Sequence, residues 1–149
     1  MKKFFILTLM ILINCNEKGI PTAFSESCRL ENTDKTLEVE GYLSDGGSIY
    51  CSSTSGRYEC GFEFRNSPGD LENYSANIAV GNSSNTMEEL KSGYTSSDIK
   101  ILDDTKEIIS LSQKIKLTGK MTAFKDETSE NPEKVYCYIK VTKIQRVIP

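Results

Sequence analysis

The five cysteines are the side chains whose chemistry is most narrowly defined by type and spacing; they are Cys15, Cys28, Cys51, Cys60 and Cys137. A thiol can bind zinc, act as a nucleophile or form a disulfide. Zinc sites commonly need C-x-x-C spacing or histidine, and the sequence contains neither. The lack of histidine also excludes a Ser-His-Asp or Cys-His nucleophile. We therefore expect covalent modification or disulfides at these positions, no metal and no cofactor.

The first fifteen residues resemble the signal of a bacterial lipoprotein. Two lysines precede the apolar run 4–13, and Leu12-Ile13-Asn14-Cys15 has the form of a lipobox. About ten apolar residues are typical of an export signal, whereas a membrane-spanning helix needs about twenty. The resemblance implies that residues 1–14 are removed and that Cys15 carries a diacylglyceryl group and a further acyl chain such as palmitate. Most such signals have a smaller residue in place of Asn14, and relaxed lipoboxes of this kind are familiar among spirochaetes.

The same resemblance implies a cellular location and a domain organisation. The mature chain would be anchored through its lipid in a bacterial membrane, the outer membrane, with its periplasmic or surface exposure left open. Residues 15–27 are polar and aperiodic, which is typical of a tether, and 28–149 have the length of one domain. Removing the two lysines of the signal changes the net charge from −3 to −5.

The four remaining cysteines predict two disulfides. Their number is even, and an exported chain reaches a compartment that permits disulfides. Residues 48–53 and 57–65 are typical of a hairpin, and a two-residue loop at Ser55-Gly56 places Cys51 opposite Cys60 in a non-hydrogen-bonded pair. That register predicts Cys51–Cys60 and leaves Cys28–Cys137, which would contribute roughly 4 kcal/mol. The alternative is four reduced, buried thiols.

Alternating apolar residues predict most of the remaining strands. The clearest patterns are Leu37–Leu43, Ala76–Val80, Ile115–Ala123 and Cys137–Val141. Capping-type residues followed by acidic ones predict a short helix over 84–91. Isoleucines on both sides of residues 103–107 predict a small hairpin with a solvated turn.

This order of elements resembles the OB-fold, a five-stranded Greek-key barrel. The likeness is to the small exported OB-fold lipoproteins whose family is named for similarity to the anticodon-binding domains of tRNA synthetases. It implies an all-β domain with Thr36–Leu43 as first strand, Lys114–Phe124 as fourth and Val135–Ile144 as fifth. A strand candidate at 73–81 exceeds the simple pattern and leaves the third strand ambiguous. The alternative fold is an immunoglobulin-like β-sandwich.

Charge is distributed unevenly along the chain. Residues 15–110 carry 8 basic and 17 acidic side chains, whereas 111–149 carry 8 basic and 4 acidic ones. In an OB barrel the first and fourth strands pair, which would set Glu38 and Glu40 beside Lys114, Lys116 and Lys120. Pairing of this kind explains the lysine row better than a polyanion site does.

These observations favour a non-enzymatic, lipid-anchored binding or structural module with an unknown protein or glycan partner. Acidic residues are plentiful, but no spacing selects the pair of carboxylates that a glycosidase needs. The candidate contact residues are Tyr136, Tyr138 and Lys140, with Tyr42, Tyr50 and Tyr58. The alternative role for these tyrosines is to cover sheet edges. The alternative function is oligosaccharide binding, while the charge of −5 argues against nucleic acid.

Overall fold

Nine strands and one short α-helix make up the computed structural model, which describes residues 18–54 and 56–148. In chain order these are β1 (Ile20–Pro21), α1 (Phe24–Ser27), β2 (Thr36–Ser44), β3 (Tyr50–Thr54), β4 (Arg57–Arg65), β5 (Asn73–Ala79), β6 (Ile101–Leu102), β7 (Ile108–Ile109), β8 (Ile115–Lys125) and β9 (Val135–Arg146). Two 3-10 turns, Leu30–Asn32 and Ser96–Asp98, lie between them.

Five of the strands close into a barrel. Strand β2 pairs antiparallel with β8 along its first six residues and with β4 along its last three. The ring continues from β8 to β9, from β9 in parallel to β5, and from β5 back to β4. Numbered along the chain, these strands follow the order 1-2-3-5-4-1. The chain therefore has the predicted all-β OB-like fold rather than a sandwich of two sheets.

The core fills the inside of this barrel with alternate residues from every strand. The pattern Leu37, Val39 and Leu43 on β2 faces Ile115, Leu117 and Met121 on β8, as the alternation predicts. The other fully or nearly fully buried residues of the barrel strands are Cys60, Phe62, Phe64, Ala76, Ile78, Ile139, Val141 and Ile144. The predicted extra strand at 73–81 is β5, the third strand of the barrel, and this resolves the ambiguity in the sequence pattern.

The hairpin β3–β4 has the predicted register. Cys51 lies opposite Cys60, Ser52 opposite Glu59, and Thr54 opposite Arg57. Gly56 supplies the positive φ, +77°, that the turn requires; its predicted partner, Ser55, lies outside the described residues.

Both predicted disulfides are present. Cys51 and Cys60 are joined with their Cα atoms 4.0 Å apart, and Cys28 is joined to Cys137 with a Cα separation of 5.7 Å. The second bridge links Cys28, the residue after α1, to Cys137, the third residue of β9.

The segment before Cys28 is part of the fold, although its composition predicts a tether over 15–27. Strand β1 pairs in parallel with the start of β2. Phe24 is buried, stacked on Tyr74 at a ring-centroid distance of 5.0 Å and 5.8 Å from Phe64. The single aromatic ring of an otherwise polar segment thus docks it against the barrel. The predicted signal peptide, 1–14, and the predicted lipidation site, Cys15, lie outside the described residues.

Residues 84–91 do not form the predicted helix. Thr86 donates its hydroxyl to the carbonyl of Ser83, and Met87 forms isolated β-bridges with Val80 and Ile101. The fully buried Met87 is held in extended backbone against the core because these bridges satisfy its peptide groups. The predicted small hairpin is present as β6–β7. In the described ranges no helix is long and apolar enough to cross a membrane.

Candidate binding face

The outer surface of the barrel carries four of the six predicted contact residues on one side. The register places Tyr50, Gly61, Asn77 and Lys140 in one row across β3, β4, β5 and β9. Side chains of directly paired residues project from the same face of a sheet, so Tyr50 and Lys140, three strand spacings apart, both project from the outer face. Tyr138 and Tyr136 precede Lys140 at two-residue intervals on β9 and face the same way. We call the surface formed by Tyr50, Tyr136, Tyr138 and Lys140 the tyrosine face.

An aromatic pair extends the tyrosine face toward the β8–β9 loop. Phe124 lies opposite Tyr136, and their rings stack with centroids 6.1 Å apart. The ammonium of Lys134 lies 5.2 Å from the centre of the Tyr136 ring. Phe124, an exposed residue at an outward position of β8, is absent from the sequence-based contact set. The alternation of inward and outward residues along β8 predicts that Phe124 projects outward, so the sequence pattern was sufficient to identify it.

Lys140 is held in place by a buried carboxylate. Oε1 of Glu59, a residue only 7% exposed, lies 3.4 Å from the Lys140 ammonium and 3.0 Å from Nε of Arg57. Arg57 also donates from Nη2 to the carbonyl of Val141 at 3.1 Å. The two cations therefore flank one acid. The face combines these fixed polar groups with the exposed ring of Tyr50 and the half-buried rings of Tyr136 and Tyr138.

The structure places the other two predicted contact residues elsewhere. Tyr58 projects from the opposite side of the hairpin, where it lines a shallow groove of about 250 Å³ with residues of the 90–94 loop. Tyr42 lies on β2 opposite Arg65 and lines a separate groove of about 300 Å³. Neither tyrosine belongs to the tyrosine face, because the sequence pattern shows which strand face a residue occupies but not where that strand lies around the barrel.

The lysine row of β8 is paired with acids. Lys114 lies 2.9 Å from Glu40, and Lys116 lies 3.0 Å from Glu38, as the ladder of the first and fourth strands predicts. The pairing with Glu40 raises the pKa of Lys114. Lys120 lies 2.8 Å from Asp34, a partner outside the predicted pair of glutamates. Charge pairing accounts for this row without a ligand.

A second charged cluster lies at the β6–β7 turn. Asp103, predicted to be solvated, is almost fully buried and accepts hydrogen bonds from Thr105 and from the amide of Glu107, while Arg146 lies 2.9 Å away. Burial by itself raises the pKa of Asp103, but these hydrogen bonds and the guanidinium outweigh it and hold the pKa below its usual range. Both carboxylate oxygens of Asp103 have structural partners, so the cluster stabilises the turn. Within the described ranges no group of His, Cys, Asp or Glu side chains is arranged to hold a metal ion.

Comparison with known proteins adds little. No protein-family model matches the sequence, and no curated protein matches it. Among solved structures the chain is similar to a putative aspartyl-tRNA synthetase from Leishmania major Friedlin, with 13% sequence identity and a TM-score of 0.46. That likeness covers 92% of this chain and 22% of the other one. The fold is therefore assigned from its own strand order and pairing.

Proposed function

We propose that this chain is a non-enzymatic binding module, anchored by lipid at Cys15 in a bacterial envelope, and that the tyrosine face contacts its partner. The observation that carries the proposal is that Tyr50, Tyr136, Tyr138 and Lys140 all project from the outer face of one run of paired strands. Tyrosine supplies a large contact area with few rotatable bonds, and such residues are enriched where proteins bind partners.

The position of the N-terminal segment supports this arrangement. Strand β1 pairs with β2, and in the five-stranded ring β2 lies across the barrel from the seam between β5 and β9. Tyr138 and Lys140 lie at that seam. A lipid on Cys15, three residues before Lys18, would therefore hold the β2 side next to the membrane. The tyrosine face would then point away from the lipid, toward partners.

The chemistry of the face favours a neutral polar ligand over nucleic acid. Glu59 lies between Arg57 and Lys140 and balances part of their charge. Nucleic-acid binding draws its affinity from unbalanced cations, whereas sugars stack on aromatic rings and exchange hydrogen bonds with fixed polar groups. An oligosaccharide is therefore the alternative to a protein partner.

The anchor is tested by fractionating cells that express the full chain. We expect the chain in the membrane fraction, and we expect Cys15→Ala to move it to the soluble fraction because no acyl group is attached. Equal membrane retention of both forms would contradict lipid anchoring at Cys15. Protease treatment of intact cells, with a periplasmic protein as control, then reports the exposed side of the membrane.

The face is tested by binding to an array of neutral and acidic oligosaccharides and by cross-linking to envelope extracts. The triple variant Tyr136→Ala, Tyr138→Ala and Lys140→Ala should lose at least tenfold in any saturable signal. Tyr42→Ala is the matched control, since Tyr42 lies outside the face, and it should bind normally. Equal loss in both variants, or no loss in the triple variant, would exclude the tyrosine face as the contact surface.

A further inference from the structure

Strand β3 has one open edge. It pairs with β4 alone, and in an antiparallel ladder alternate residues direct their backbone groups to the neighbouring strand. The short Cα separation of Cys51 and Cys60, 4.0 Å, identifies a non-hydrogen-bonded pair. Hence the amide and carbonyl groups of Cys51 and Ser53 point away from β4. No hydrogen bond from the described parts of the chain reaches them.

The hydroxyl of Tyr94 accepts from the amide of Ile49 at 2.9 Å and covers this edge just before β3 begins. Along β3 itself the edge lacks the features by which proteins block strand pairing. Residues 48–54 contain no charged side chain and no proline. The other free edge of the sheet, β1, is only two residues long and includes Pro21. Tyr50, at the start of β3, is 78% exposed. The edge of β3 is therefore the surface of this barrel best suited to accept another strand.

We propose that β3 pairs antiparallel with β3 of a second copy of this chain, centred on Ser52. In that register Tyr50 of one copy lies opposite position 54 of the other, and Cys51 lies opposite Ser53. The backbone groups left open on one copy meet those left open on its partner. Because the strand is uncharged, no like charges are brought together when it meets itself.

Symmetry is the second argument for a copy of the chain. The two-fold axis of an antiparallel strand pair runs perpendicular to the sheet, so both copies present the same sheet face in the same direction. Both tyrosine faces then point one way and form one surface with the two Tyr50 rings near its centre. The two-fold axis also sets both β1 segments at the same level along it, so that two lipid anchors can reach a single membrane. This last step rests on the proposed function; the strand pairing itself does not.

Pairing of two β3 strands buries little surface, and attachment of both copies to one membrane compensates for this. Five paired residues bury less surface than a stable dimer in solution requires. Confinement to one membrane raises the effective concentration of the partner strand without any new contact. We therefore expect the dimer in membranes and a weaker association in detergent at low concentration.

The test places a photoreactive p-benzoylphenylalanine at Tyr50 in the full chain and irradiates membranes. We expect a cross-linked band at twice the mass of the chain. The same probe at Leu71, an exposed residue in the loop after the end of β4 that pairs with β2 rather than with β3, should give at least tenfold less dimer. Adding Ser53→Lys to the Tyr50 probe should reduce the dimer at least tenfold, because it places charge on the open edge. Asn131→Lys on the exposed β8–β9 loop is the matched control and should leave the dimer unchanged.

Each other outcome would overturn the proposal. Cross-linking only to a different protein would assign the edge to a foreign strand. A dimer unaffected by Ser53→Lys, or equally strong from Leu71, would exclude pairing through β3. Circular dichroism melting of the Ser53→Lys chain checks that the barrel remains folded. Ser53→Pro, which removes an outward amide without removing a hydrogen bond to β4, provides a second edge variant and is checked in the same way. Fractionation of the same sample reports the anchor separately: a cross-linked dimer found outside the membrane would support edge pairing and contradict the proposed anchor.

Discussion

At the scale of single residues, the charged groups of this chain divide into a buried structural set and an exposed set. Asp103 belongs to the first: its Oδ1 accepts from the Thr105 amide at 2.9 Å, the Thr105 hydroxyl at 2.7 Å and the Glu107 amide at 2.9 Å. Its other oxygen faces Arg146 on β9. The carboxylate thus connects the β6–β7 turn to the last barrel strand, and its ionised form is the one that makes all of these contacts.

Asp103→Asn should lower the free energy of unfolding by about 1 to 3 kcal/mol at pH 7, because it removes the charge that faces Arg146. The pKa of Asp103 is lowered in the folded state, so its contribution is present above the unfolded pKa and is lost as pH falls through the folded one. The difference between wild type and variant should therefore be constant from about pH 5 to 8 and shrink below about pH 4. Urea titrations across this range measure it.

Asp126→Asn is the matched control for that experiment. Asp126 also caps a turn, through Thr128, but it lies on the exposed β8–β9 loop with no cation among its contacts in the described chain. Its substitution should change stability much less. An equal effect of the two substitutions would show that turn capping, rather than the contact with Arg146, gives Asp103 its importance.

At the scale of elements, the longest ladder of the barrel, between β8 and β9, contains a bulge. The register shifts between Thr118 and Gly119, so Thr142 is the extra residue on β9. A Cβ atom on Gly119 would overlap the backbone carbonyl of Lys140.

Gly119→Ala should lower the free energy of unfolding by about 1 to 3 kcal/mol. Gly81→Ala, whose Cβ would lie 3.6 Å from the Thr86 side chain, should change it by less than about 0.5 kcal/mol in the same denaturant titration. Similar values for both variants would contradict the close approach of β8 and β9.

The N-terminal segment is a second element whose attachment can be tested. Phe24→Ala removes the ring that stacks on Tyr74 and should cost about 3 kcal/mol. It should also speed proteolysis within residues 18–27 and hydrogen exchange of the Thr22 amide, which is bonded to the carbonyl of Glu38 at 2.9 Å. Leu71→Ala, at a side chain that is almost fully exposed, should change none of these. Unchanged proteolysis in Phe24→Ala would mean that β1 pairing alone holds the segment.

The elements that the sequence predicts well are those whose partners lie close along the chain. The hairpin register follows from counting outward from a two-residue turn, and both disulfides follow from it. The helix predicted over 84–91 fails because the bridges of Met87 to Val80 and Ile101 outweigh a weak local preference. The docking of Phe24 and the parallel contact of β5 with β9 join segments about 50 to 60 residues apart, which no local pattern encodes. The tyrosine face was predicted only in part for the same reason.

At the scale of the whole molecule, the orientation relative to a membrane follows from the strand order and the proposed anchor. Ile20 on β1 lies five residues after Cys15, and five extended residues span at most about 18 Å. Tyr50 belongs to the tyrosine face, whose Tyr138 and Lys140 lie across the barrel from β2, and it lies on a strand paired with the end of β4 that does not contact β2. A barrel anchored at Cys15 should therefore hold Ile20 near the lipid and Tyr50 away from it, in the single chain and in the β3-paired dimer alike.

Introduced tryptophan can measure this difference, because the chain contains none of its own. In the lipidated full chain, reconstituted in vesicles with brominated acyl chains, we expect the fluorescence of Ile20→Trp to be quenched at least twice as strongly as that of Tyr50→Trp. Contact quenching falls off over a few ångströms, so only the side of the barrel facing the bilayer is affected. Acrylamide, a quencher dissolved in water, should affect Tyr50→Trp at least as strongly, since both positions are exposed in the protein itself. Stronger lipid quenching at Tyr50→Trp would turn the tyrosine face toward the bilayer and make the membrane surface, rather than a partner beyond it, the ligand of that face.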